Sequence, residues 1–135
     1  MNPFIDTNPY TNQKLVGIDT NKNLHEYNAA DVVNAYIISN NVVVTTSSNY
    51  IVLPNDYYIV VKKVTGSAST VNLPVNPIIG KTYIIKDGKG DASINNITVL
   101  STGGVTIDGA TSKIINANYG ICKVFYTGTE YFLIN

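Results

Sequence analysis

Arginine and tryptophan are absent from this chain of 135 residues, and cysteine, methionine and histidine occur once each. Charged side chains make up 13% of it, about half of the roughly 25% usual in globular proteins. Without Arg there is no planar fork for bidentate recognition, which counts against nucleotide, nucleic-acid and phosphopeptide binding. The basic and acidic residues number nine each, so no net field points to nucleic acid or to anionic lipid. The single Cys122 excludes an intrachain disulfide and any cysteine-based zinc site. No apolar run approaches the roughly 20 residues needed to span a membrane. The start, Met1-Asn2-Pro3-Phe4-Ile5-Asp6, lacks the basic and apolar regions of a secretory signal. Synthesis in a cytoplasm is expected, with no membrane partner.

The missing charge is replaced by Asn, Thr and Ser, which suits turns and strands on a surface packed against other protein. A chain this neutral is poorly soluble as exposed monomers, which favours assembly. The length fits one compact domain with a short arm. Ten Tyr fit surfaces that are half apolar and half wet, as in protein or sugar recognition. For Tyr57, Tyr58 and Tyr126 the plainer reading is sheet packing and subunit contact.

Three zones follow. Residues 1–27 are rich in Asn, Thr and Pro and show no sustained periodicity, yet they are too apolar for a solvated tail. They are expected to form an extended docking arm, with Phe4, Ile5, Tyr10, Leu15, Val16 and Ile18 as candidate docking residues. An irregular layer folded on the chain's own core is the alternative. Residues 28–41 hold the best helix signal, with Asn28 as N-cap, Asp31 answering the dipole, and Val32, Val33 and Tyr36 on one face. A helix so short needs tertiary support and would form a collar.

Residues 42–135 are strand after strand. Strands are expected at Val42–Thr46, Tyr50–Leu53, Tyr57–Val64, Ser69–Leu73, Thr82–Asp87, Asn96–Leu100, Val105–Ile107, Lys113–Asn116, Gly120–Tyr126 and Tyr131–Ile134. Asp87-Gly88-Lys89-Gly90, Asp108-Gly109 and Gly128 supply positive-φ positions for hairpin turns. The expected fold is mainly β: a compact antiparallel β-sandwich or barrel-like head, with an extended N-terminal arm and one short helix.

Catalytic chemistry finds little support, and no enzyme activity, cofactor or metal is expected. Asp56, Asp87 and Asp108 sit beside turn residues, where Asp serves local hydrogen bonds. His25 has no second His to share a metal. Asp87-Gly88-Lys89-Gly90-Asp91 misses the ligand order of a calcium loop, and Lys89 would compete with the cation. Cys122 lies in an alternating strand and reads as a small buried hydrophobe.

An ordered series of short motifs carries a resemblance. It runs from Asn49-Tyr50-Ile51-Val52-Leu53-Pro54-Asn55-Asp56-Tyr57-Tyr58-Ile59 through Val71-Asn72-Leu73-Pro74 to Pro77-Ile78-Ile79-Gly80-Lys81-Thr82-Tyr83-Ile84-Ile85-Lys86-Asp87-Gly88-Lys89-Gly90-Asp91-Ala92. Asn95-Asn96-Ile97-Thr98-Val99, Thr106-Ile107-Asp108-Gly109, Asn118-Tyr119-Gly120 and Tyr126-Thr127-Gly128-Thr129-Glu130-Tyr131-Phe132 complete it. The series resembles a β module of bacteriophage tail fibres, tailspikes and head fibres, over residues 49–135. Tyr131 and Phe132 stand where that module often carries Trp. The resemblance implies a homotrimeric virion structural protein with its N-terminal segments directed to the virion. Anchoring to capsid or tail proteins by the N-terminal arm is expected from the arm's position and composition. The alternative is a fibre tip that adheres to host surface glycans; another fibre protein is a further possible partner.

Overall fold

The computed structural model describes residues 41–135 in full, and residues 14–18 and 24–28 as backbone. The chain divides into two units, Met1–Ser39 and Asn40–Asn135. In the first, β1 (Lys14–Ile18) pairs antiparallel with β2 (Leu24–Asn28). Sequence periodicity had not marked these two strands. The expected helix falls on residues outside those described. Among the described residues there is no helix.

The second unit holds nine strands: β3 (Asn41–Thr45), β4 (Asn49–Ile51), β5 (Asp56–Val61), β6 (Ser69–Asn72), β7 (Thr82–Asp87), β8 (Ile97–Leu100), β9 (Ser112–Ile115), β10 (Ile121–Tyr126) and β11 (Tyr131–Leu133). Their β-branched and aromatic content suits a pleated, half-buried surface. They form a five-stranded sheet, ordered β11-β10-β7-β5-β3, and a four-stranded sheet, ordered β4-β6-β8-β9.

The sheets are mixed and open, which corrects the expectation of an antiparallel sandwich or barrel. From β3 to β8 the chain alternates between sheets, so each circuit adds one strand to each. Strands β3, β5 and β7 are therefore parallel neighbours in one sheet, as β4, β6 and β8 are in the other. The physical cause lies in the connections. A hairpin turn reverses direction within a sheet, whereas an arc to the opposite sheet lets the chain return one circuit later in its original direction. The result is a short winding of three coils. Antiparallel strands finish it: β9 on β8, β10 on β7, and β11 on β10.

Asp87-Gly88-Lys89-Gly90 is thus an arc between sheets and not the expected hairpin. Asp108-Gly109 does make a tight reversal: both residues have positive φ, and Ile107 bridges Ala110. That bridge replaces the strand expected at Val105–Ile107. Gly128, at φ 106°, turns β10 into β11, as the sequence predicts, and sets Phe125 opposite Phe132 and Tyr126 opposite Tyr131.

One apolar cluster fills the space between the sheets, drawing on Ile59 and Val61, Val71, Tyr83 and Ile85, Ile97 and Val99, and Val124. The strict alternation of β7 shows why: Tyr83, Ile85 and Asp87 point inward, while Thr82, Ile84 and Lys86 do not. Tyr131 packs against Tyr126 and Tyr83, with ring centroids 5.1 and 6.4 Å apart. Cys122 is buried, as expected, and burial pushes its thiol up to about 11.

Candidate interaction surface

The outward face of the five-stranded sheet is also apolar. Register places Val42, Tyr58, Ile84 and Lys123 in one row across β3, β5, β7 and β10. Val44, Val60, Lys86 and Ile121 form the next, and Thr82, Phe125 and Phe132 a third. Val42, Val44 and Ile121 are 69%, 60% and 56% exposed. The Phe125 and Phe132 rings stack at 5.7 Å. The outer face of the other sheet differs. Its rows are Asn49, Thr70, Thr98 and Ile114, then Ile51, Asn72, Leu100 and Ser112. There Asn72 Nδ2 donates to Asn49 Oδ1 at 2.6 Å.

A sheet apolar on both faces is normally covered on both. The signal was present in the unbroken apolar runs Val42-Val43-Val44, Ile59-Val60-Val61 and Ile84-Ile85, although alternation alone did not reveal it. An open apolar groove of about 530 Å³ lies where β4 and β6 end, lined by Ile51, Leu53, Pro54, Leu73, Pro74 and Val75. Both Leu-Pro pairs follow strand ends, as proline's missing N–H requires.

The resemblance motifs converge on Asp87. Its Oδ1 accepts the amides of Lys89 and Gly90 at 3.0 and 2.9 Å, and its Oδ2 those of Ala92 and Tyr119 at 3.1 and 3.0 Å. Burial alone would push this carboxyl up, but the four amides hold it below the ordinary carboxylate range. The same turn is braced by Lys89 on Asp91 at 3.0 Å and by Asn118 Oδ1 on the Ser93 amide at 2.9 Å. Gly90, at φ 80°, lies against the Tyr119 ring, where any Cβ would overlap it. These contacts make Asp87 a structural hub. Asp91 is bound to Lys89 and Asn95 rather than presented as a ligand.

A second buried polar group was not foreseen. Asp56 Oδ2 accepts from Tyr50 Oη at 2.7 Å and from the Leu53 amide at 2.8 Å. Burial, then the Asp56 hydrogen bond, push the Tyr50 phenol up to about 12. Among the described residues, Lys81 Nζ and Tyr83 Oη are buried without a hydrogen-bond partner, and Lys81 Nζ lies 5.5 Å from the Tyr83 ring centroid. Burial depresses the Lys81 ammonium, while the Asp56 charge opposes that shift. Asp56 and Lys81 both flank turns. The Leu53 amide is the local contact expected of Asp56, whereas the burial of the two side chains was not read from sequence.

Of the expected docking residues, Phe4, Ile5 and Tyr10 lie outside the described residues. Leu15, Val16 and Ile18 stand on β1 opposite Tyr27, Glu26 and Leu24, and His25 faces Gly17 across the same ladder. Tyr126 is buried in the core, whereas Tyr57 and Tyr58 are half-buried on β5. Among the described residues, no three His, Cys, Asp or Glu side chains gather where they could hold a metal ion. No protein-family model matches the chain. No curated protein sequence matches it either.

Proposed function

We propose that this chain is a virion structural protein: a short homotrimeric bacteriophage fibre or decoration protein. Its N-terminal residues attach it to the capsid or tail, and its β unit forms the projecting head. The resemblance over residues 49–135 supports the phage assignment. The observation that supports self-association is the apolar outward face of the five-stranded sheet.

Its size bears on the number of copies. The five strands hold 5, 6, 6, 6 and 3 residues, and at about 3.4 Å per residue and about 4.8 Å between strands they give a flat face of roughly 420 Å². A stable pairwise contact needs about 800 Å² from each partner. The flat outline of one such face falls short of that, so each contact of a closed ring, which joins two different patches, must draw on residues beyond the face. The groove beside Leu53 and Pro74 offers the second apolar patch. Charge on the sheet face is slight: among its three rows Lys86 and Lys123 are the charged members, and Lys86 Nζ already donates to the Tyr119 carbonyl.

Light scattering on the purified protein tests this reading. The expected mass is three times 14.6 kDa. Val44→Lys, which places a cation in the second row of the face, should give monomer with an unchanged circular dichroism spectrum. A monomeric wild-type protein would sink the proposal. Replacing Phe4, Ile5 and Tyr10 by Ser should abolish incorporation into particles without changing the oligomer, and retained incorporation would refute the attachment role.

A further inference from the structure

The chain holds two Asp-Gly steps, Asp87-Gly88 and Asp108-Gly109, and no Asn-Gly step. An aspartate carboxyl can close on the amide nitrogen that follows it, and glycine, lacking a Cβ, leaves that nitrogen open to attack. The two steps differ at both reacting groups. The Asp87 carboxylate is buried and accepts four amides, and the Gly88 amide donates to the Val61 carbonyl at 2.9 Å. Asp108 and Gly109 are both exposed. Among the described residues, the Asp108 carboxylate accepts one bond, from the Leu133 amide at 3.2 Å, and the Gly109 amide has no acceptor.

The geometry points to Asp108 as a site of spontaneous isoaspartate formation. The Gly109 nitrogen attacks Asp108 Cγ and forms a C–N bond. The carboxyl OH leaves with the amide proton as water, and a five-membered succinimide results. Water then adds to the main-chain carbonyl carbon of Asp108 and breaks its bond to the Gly109 nitrogen. The chain now runs through Cγ, and the main-chain carboxyl is free. The water lost is regained, and no oxidant, reductant or cofactor takes part.

The attack requires a brief opening of the turn, which Ile107 and Ala110 hold by mutual bonds of 2.6 and 3.0 Å. At Asp87 the same step must also break the four amide bonds and the Gly88 bond. Five bonds of ordinary strength slow the buried step by about a hundredfold or more.

The consequence falls on β11, whose outer edge this turn covers. The Asp108 amide donates to the Tyr131 carbonyl at 2.9 Å, and the Tyr131 amide donates to the Thr106 carbonyl at 2.8 Å. An added backbone carbon at residue 108 displaces the Asp108 contacts to Tyr131 and Leu133 and leaves part of a strand edge bare. The site lies outside the sheet face and groove assigned to self-association and does not depend on the number of copies.

The test holds full-length protein at neutral pH and body temperature until a synthetic peptide of residues 102–113 is half converted. Both are then digested and mapped, with isoaspartate scored by enzymatic methylation. Isoaspartate at Asp108 should rise above the level in fresh protein and stay about a hundredfold scarcer at Asp87. Hydrogen exchange at the Leu133 amide should quicken in the converted fraction. Asp108→Asn tolerates positive φ as well as Asp does, and should convert faster, with loss of ammonia. An Asp108 that stays intact while the peptide converts, or an Asp87 that converts equally, would overturn the inference. So would an Asp108→Asn protein that keeps its ammonia over the same period.

Discussion

The Tyr119 amide donates to Asp87 Oδ2 at 3.0 Å from a turn 32 positions further along the chain. The same carboxylate holds the amides of Lys89, Gly90 and Ala92, so one side chain ties two separate loops to the end of β7. Asp87→Asn replaces one acceptor oxygen with an NH2 group that would face amide donors. Hydrogen bonds to charged groups contribute about 1.5–3 kcal/mol, and orphaned donors add to the loss. Urea denaturation of this variant should show stability lower by about 3 kcal/mol.

Acid should act through the same group. Its folded carboxyl titrates below its unfolded value, so the ionised form stabilises the fold at every pH above the unfolded value of about 4. That contribution is lost as pH falls through the depressed folded value. Thermal melting should therefore drop steeply below about pH 4, and the drop should be shallower in Asp87→Asn.

Alkali acts in the opposite sense. Burial first, then the Asp56 charge, push the Tyr83 phenol up to about 12, and Tyr50 reaches about 12 as well. Both stay protonated in the fold beyond the unfolded value of about 10, so the stability they contribute is complete below it and fades between 10 and 12. Ultraviolet titration of the native protein should show these phenols ionising later than exposed tyrosines.

The buried hydroxyls separate two substitutions that look alike. Tyr131 Oη donates to the Pro74 carbonyl at 2.6 Å, whereas Tyr83 Oη has no partner among the described residues. Tyr131→Phe should cost about 1 kcal/mol, and Tyr83→Phe should be neutral or stabilising. Paired denaturation curves check the difference in sign.

Neighbours on β7 give a test of the two faces. Ile85 is fully buried and Ile84 lies on the outer face. Ile85→Ala should lower stability by about 3 kcal/mol through the cavity it leaves. Ile84→Ala removes less buried area within one chain and should cost about 1 kcal/mol or less there. Its larger effect should be on oligomer mass measured by dilution.

Most strands were legible because alternation and turn residues act locally. Thr82–Asp87 was bounded from sequence, and so was the hairpin turn at Gly128 that joins β10 to β11. The winding was not legible. Asp87-Gly88-Lys89-Gly90 carries the residues of a hairpin, but its conformation is set by amides gathered around Asp87, one of them from Tyr119. Asp56 and Lys81 were hidden for a similar reason: each flanks a turn, and burial comes from strands distant in sequence. The apolar outer face was masked because a strand apolar on both sides does not alternate. For the docking residues, sequence supplied a composition and a position, and β1 adds a register for Leu15, Val16 and Ile18.

The coiled path has a consequence for how the chain reaches its native state. Parallel neighbours such as Val44 and Val60, or Val71 and Val99, never follow one another directly, since a strand of the opposite sheet always intervenes. Each circuit must close a loop before its ladder repays the entropy, which places this topology among the slower folders. The hairpin turned by Gly128 is the local exception in the five-stranded sheet. We expect it to nucleate folding, with β7 added next and β3 last. Mutations around Phe125 and Phe132 should then slow refolding, whereas those in β3 should chiefly speed unfolding.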